Sequence, residues 1–288
     1  MEKVIPFPKR IKYLTLLFLS ALLMTSACNL TERKQLVGHV YIIRKIIRSP
    51  KDIVSIKSTR VIPYIYANTC TLNGLPVSEK KQKFFDMMLP AILVAKTNLD
   101  LTRKEVERLT KKKKLARWEK VYIRQLMRKF KTNNVHVLIK RLQTFPVSIT
   151  LAQAAIESGW GTSRFFLQAN NPFGIWSFDP DHNRISADST RNGTKVYLRR
   201  FENLEQAINT YYTMLATAKP FAAFRNARMR TNNPDTLIQT LKMYSERRGA
   251  YVDDLSRVIR VNRLKQFDKS EIDSSFIHKR KTLKLFPE

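Results

Sequence analysis

The stretch from Pro146 to Trp176, PVSITLAQAAIESGWGTSRFFLQANNPFGIW, makes the chain stop and restart twice in quick succession. Pro146 cannot sit inside a helix, and Ser148 is a ready cap, so a helix opens here. Ile149, Ala152, Ala155 and Ile156 recur at helical spacing and give it a narrow buried face. Gln153 and Glu157, four apart, share a different face. Gly159 is a natural stop and Ser163 a natural new cap, and Asn170-Asn171-Pro172-Phe173-Gly174 reads as a turn. The effect is to deliver one carboxylate, Glu157, to a helix C-terminus beside Trp160 and Phe165. The negative end of the helix and apolar neighbours both favour the protonated carboxyl.

The chain has 288 residues, enough for one substantial core plus an appendage. Its 53 Lys+Arg against 23 Asp+Glu give a formal net charge of +30. That imbalance implies a polyanionic partner: nucleic acid, an anionic membrane face or a cell-wall polymer. Two cysteines and four histidines, never closely spaced, argue against a protein-bound metal, and no cofactor motif is present. The N-terminus narrows the choice. Lys3, Lys9, Arg10 and Lys12 precede an uncharged run, Tyr13 to Ala27, that is too short to span a membrane and reads as an export signal. Thr25-Ser26-Ala27-Cys28 resembles a bacterial lipoprotein processing site, with Cys28 as the lipidated residue. If Cys28 is lipidated, Cys70 is a single thiol; otherwise the two could pair. Export to the cell envelope (periplasm or outer membrane) argues against nucleic acid as the partner, and a nucleic-acid-binding reading rests on the charge alone.

The rest divides by pattern. Residues 1–28 are the leader and 29–77 a basic, β-branched linker, where Val40–Ile43 and Val61–Ile65 could be short strands, the second weakened by Pro63. Residues 78–145 read as a helical arm. Phe84, Phe85, Met88, Leu89, Ile92 and Leu93 keep helical spacing, interrupted by Pro90, and Thr102 with Glu105 forms a capping box. Lys111–Lys114 is a solvated helix face. Residues 146–268 form the main domain. Its β-lobe lies at Thr194–Phe201 with a hairpin turn at Asn192-Gly193, and Asn203 caps the next helix. Further helices fall near 221–230, 234–244 and 252–264. Residues 269–288 are a basic tail that frays.

Glu-Ser-Gly-Trp-Gly-Thr-Ser-Arg followed by Asn-Asn-Pro-Phe-Gly-Ile-Trp resembles the bacterial glucosaminidase family that cleaves peptidoglycan, and most closely its Bax-like branch. Tyr-Ser-Glu-Arg-Arg-Gly-Ala-Tyr-Val at Tyr244–Val252 and the Arg-rich FAAFRNARMR at Phe221–Arg230 extend the likeness. The resemblance implies an α+β, predominantly α fold: a lysozyme-like catalytic domain with a small β-hairpin lobe and an N-terminal helical arm. It also implies a glycoside hydrolase, an endo-beta-N-acetylglucosaminidase acting on wall glycan strands without a cofactor. Glu157 would be the proton donor, as a carboxyl kept neutral can protonate a glycosidic oxygen. Asn171, Phe173, Gly174 and Trp176 match the sugar-binding side, and Trp160 flanks the acid. Tyr244 matches a cleft tyrosine that orients the acetamido group or water, and Tyr251 a second aromatic. The family often carries a further acid on the hairpin. Here that position is Tyr197, and Asp179, Asp181 and Asp188 remain as candidates, with Asp188 the choice. The missing acid also motivates a second reading, a catalytically impaired glycan-binding or scaffolding protein.

Overall fold

The computed structural model describes residues 38–191 and 194–278, within which His39–His278 form one compact unit. Strands β1 (His39–Val40), β2 (Ile43–Lys45), β3 (Arg60–Val61) and β4 (Tyr64–Tyr66) come first. Helices α1 (Val77–Thr110), α2 (Arg117–Lys129), α3 (Val135–Leu142), α4 (Val147–Ser158) and α5 (Arg164–Ala169) follow. A hairpin of β5 (Arg184–Arg191) and β6 (Thr194–Arg199) leads into α6 (Leu204–Thr217), α7 (Ala222–Ala227), α8 (Pro234–Ile238) and α9 (Gly249–Val261). Strands β7 (Glu271–Ile272) and β8 (Ile277–His278) close the described chain. The fold is α+β and predominantly helical. Among the described residues no helix is long and apolar enough to cross a membrane. Cys28 and the Asn192-Gly193 turn lie outside the described residues, while Cys70 is buried.

The expected arm is instead the centre of the molecule. Helix α1 runs for 34 residues without a break at Pro90 or Thr102. Residues Phe84 to Ala95 are buried throughout, so tertiary packing outweighs the local cost of a proline. Thr102 is no cap, because its hydroxyl donates to the Asn98 carbonyl one turn back (2.8 Å). Only the far end of α1 behaves as an arm. There Val106 and Leu109 pack with Ile123, Phe130, Leu138 and Leu142 in a second, smaller cluster. Buried Glu119 ties this cluster together, bonding Lys112 at 2.6 Å and the Ala116 amide at 2.9 Å.

The described parts of the segments expected as linker and tail, residues 38–77 and 269–278, also contribute to the core. Ile47, Ile53, Ile65, Tyr66 and Leu72 are buried against α1. Strand β2 pairs parallel with β4, β3 parallel with β7, and β1 antiparallel with β8. The β-branched residues of 39–77 thus take their strand partners partly from 271–278, far away in sequence. A periodicity argument along one segment does not reveal such partners. The buried Asp86 carboxylate pins the loop to the helix, accepting from the Ile56 amide (3.1 Å) and Gln82 (2.9 Å).

Helix α4 crosses this core and is buried on nearly every side, not along one narrow face. Ser148 is not its cap: the helix starts one residue after Pro146, which provides no side-chain cap. The cap comes from Asp268, whose carboxylate accepts from the Ser148 amide (2.8 Å) and hydroxyl (2.9 Å). An acidic group at a helix N-terminus satisfies free amides and opposes the helix dipole. Asp268→Ala should therefore lower unfolding free energy by about 1–2 kcal/mol in urea titration, and Asp268→Asn by less.

Candidate active site

Two left-handed residues end α4: Gly159 at φ 56° and Trp160 at φ 59°. The Ser158 hydroxyl accepts from the Gly161 amide (2.9 Å), and Ser163 caps α5 by accepting from Phe166. This tight reversal leaves Glu157 partly exposed at the end of an otherwise buried helix. Its expected neighbour Trp160 turns away. The Trp160 ring packs edge-on against Phe84 and Phe85, with the Lys81 ammonium 4.7 Å above it. Trp160 thus wedges α4 against α1 and does not line the cavity at Glu157.

That cavity, of about 330 Å³, is walled by Glu157, Phe173 to Trp176, Phe178, Met214, Phe221 and Tyr244. The motif after α5 shapes it. Asn171 is buried and spends its side chain on backbone, donating to the Ile175 and Arg199 carbonyls (3.0 and 2.9 Å) and accepting from the Ile175 amide (3.0 Å). It staples the turn and presents nothing to a ligand. The strand-like run it creates lies beside β6, with Ser177 donating to Tyr197 (2.8 Å) and Arg199 to Ile175 (2.9 Å). Gly174, at φ 61°, lines the cavity, and a side chain there would be strained by the backbone rather than by crowding. Phe173 is buried and stacks on Tyr211 at 4.1 Å, so only part of its ring faces the cavity. Trp176 and Phe178 form an exposed aromatic lip, their rings 5.9 Å apart and Phe178 84% exposed.

Beneath the cavity a chain of hydrogen bonds fixes the acid. Tyr211 donates to the Gln153 carbonyl oxygen, and the Gln153 amide donates to the Tyr251 hydroxyl (2.9 Å). The Tyr251 hydroxyl in turn stands close enough to the Glu157 carboxyl to favour its ionised form. Tyr251 is buried under Tyr244, with parallel rings 5.6 Å apart, so it supports the acid and is out of a ligand's reach. Tyr244 is on the cavity wall and its hydroxyl reaches the Phe173 carbonyl at 3.4 Å. Burial pushes the Glu157 carboxyl above the usual range, against weaker opposing pulls from the Tyr251 hydroxyl and the Arg247 guanidinium. Burial also pushes the Tyr244 and Tyr251 hydroxyls up, so both stay protonated.

Glu157 is the one carboxylate among the described residues that line this cavity. Asp188 falls in β5 where the pairing with β6 is irregular, between Ser186 and Thr190, and its side chain lies outside what the structure describes. Asp179 is paired at 3.6 Å with His182 on the surface. Tyr197, at the position where an acid is expected, sits under the Arg184 guanidinium at 4.1 Å. No cluster that could hold a metal is present among the described residues. The sequence reading missed Met214, Phe221 and Phe178 as wall residues and Tyr211 as support. Of these only Phe178, an apolar residue just past the aromatic motif, carried a local signal.

The described site thus combines a helical body, a two-stranded hairpin and an apolar groove over one raised carboxyl. Residues 132–264 match the family model described as Mannosyl-glycoprotein endo-beta-N-acetylglucosaminidase, and this part of the chain is similar to that family. The chain is similar to Protein bax of Escherichia coli (strain K12), 28% identical over 122 residues. The match takes in 40% of this chain and 42% of that relative, so less than half the relative's length is spanned. Among solved structures, the catalytic domain of the autolysin Auto from Listeria monocytogenes is 15% identical, with a TM-score of 0.38 over 58% of this chain and 97% of that one. A peptidoglycan hydrolase mutant from Sphingomonas sp. A1 is 22% identical, with a TM-score of 0.36 over 50% and 92%.

A raised carboxyl has a stability signature. Below the ordinary glutamate value the group is neutral whether the chain is folded or unfolded, and nothing is lost. As pH rises through the raised folded value, ionisation works against folding. Glu157→Gln should match wild type in Tm at acid pH and exceed it increasingly toward pH 8, as read by calorimetry across a pH series.

Proposed function

We propose that this protein is a hydrolase of cell-wall glycan strands, cleaving beside N-acetylglucosamine, with Glu157 as general acid. The observation that carries this reading is the pairing of a desolvated carboxyl with an aromatic-lipped groove. Burial keeps the Glu157 proton in place until a bridging oxygen takes it. Tyr251, with Arg247 nearby, then stabilises the carboxylate that remains. The rings of Trp176 and Phe178 offer flat apolar faces to sugar rings, and Gly174 gives backbone access. Tyr244 orients water or the substrate's acetamido group. With one carboxylate lining the groove among the described residues, that acetamido group or a Tyr244-held water takes the place of a second acid. This reading places the protein outside the cytoplasm, and its positive charge would hold it near anionic wall or membrane polymers.

The lone acid in the groove also favours a second reading, a glycan-binding protein of impaired activity. One experiment separates the two: muropeptides released from purified sacculi, identified by mass spectrometry. Under the hydrolase reading Glu157→Gln lowers release by about 10²–10⁴-fold, and the new reducing ends are N-acetylglucosamine. Equal, negligible release by both proteins favours the binding module. The wild-type rate should fall on the alkaline side, as pH rises through the raised Glu157 value and the donor loses its proton. Tyr244→Phe should lower kcat more than it raises KM.

A further inference from the structure

Next to the groove over Glu157, across Met214, lies a second recess of about 700 Å³. Met214 lines both cavities. The recess is walled by the polar face of α6, including Asn209, Thr210 and Thr213. Around it stand four cations, Arg44, Lys129, Lys131 and Arg199, against two acids, Glu202 and Glu205.

None of the four cations is in an ion pair among the described residues. The Arg199 guanidinium lies over Phe201 at 5.2 Å, and its buried Nε has no hydrogen-bond partner. Lys131 is held in a left-handed conformation, φ 51°, with its carbonyl gripped by Arg141 at 2.6 Å. Burial raises the Glu205 carboxyl, and Arg44 supplies the opposing charge.

Resting on the hydrolase reading above, we propose that this recess binds the carboxylate-bearing peptide branch of the glycan strand whose sugars occupy the Glu157 groove. N-acetylglucosamine carries no charge, so the sugars alone offer nothing to the excess of cations over acids in this recess. A wall peptide attached to the neighbouring sugar brings free carboxylates for the cations and amides for the threonine and asparagine side chains. The shared Met214 wall makes the two cavities adjacent, as two parts of one branched substrate require. The enzyme therefore prefers peptide-bearing strands to bare ones.

The test uses the full chain and two probes: a soluble wall tetrapeptide with free carboxylates, and a peptide-free N-acetylglucosamine oligomer. Binding is read by calorimetry for wild type and for the double variant Arg44→Gln/Lys131→Gln. The tetrapeptide should bind wild type and lose about tenfold or more in the double variant, the sum of two modest charge contacts. The oligomer should bind both proteins equally. Raising salt should weaken the tetrapeptide alone. In digestion, the double variant should raise KM on peptide-bearing strands and leave amidase-stripped strands unchanged. Equal tetrapeptide binding by both proteins overturns the proposal, as does inorganic phosphate binding as tightly as the peptide. Failure of wild type to cut any strand overturns the hydrolase reading instead, while the tetrapeptide arm still decides the recess.

Discussion

Almost everything about the candidate site follows from the depth at which α4 is buried. A helix surrounded on all sides has no freedom to slide or roll, because interiors are packed as densely as organic crystals. Of its last three residues only Ile156 and Glu157 reach toward solvent, and the tight reversal at Gly159 and Trp160 prevents the helix from extending past them. The acid is therefore positioned by packing, and its own side chain needs little additional restraint. Asp268 completes the arrangement from the opposite end, holding the first turn of the same helix.

Within that frame, opposed electrostatic influences set the chemistry. Desolvation favours the protonated Glu157 carboxyl, while Tyr251 and Arg247 favour the ionised one. The Tyr211–Gln153–Tyr251 chain matters because a buried tyrosine hydroxyl must find a partner. Here each partner is aligned by the next, so the Tyr251 hydroxyl is held in place next to Glu157. The groove is otherwise apolar, so a charge forming in it would be poorly screened. That combination separates Glu157 from the surface acids Asp179 and Asp181, which water surrounds.

How much of this could be read from the sequence differs by element. The stop at Gly159, the cap at Ser163, the cap at Asn203 and the carboxylate at a helix end were all legible, because each depends on neighbours within one turn. The roles of Asn171, Trp160 and Tyr251 were not. Each residue type suits a sugar site, and only the three-dimensional partners show that Asn171 bonds backbone, Trp160 packs on Phe84 and Phe85, and Tyr251 is buried. The same limit applies to Ser148, whose partner is 120 residues away. Pro90 and Thr102 misled for the opposite reason: their local signals were real, but burial along α1 overrode them.

The pairing of His39 with His278 brings the two ends of the compact unit side by side. Ladders between such distant residues form late, since chain must be ordered across the whole span before they yield any contact. On a ribosome that supplies residues from the N-terminus, β1 and β3 would wait for β8 and β7 while everything between them emerges. The unit closes only when its final strands arrive, so a nascent chain stopped short of Glu271 would leave those early edges without their partners.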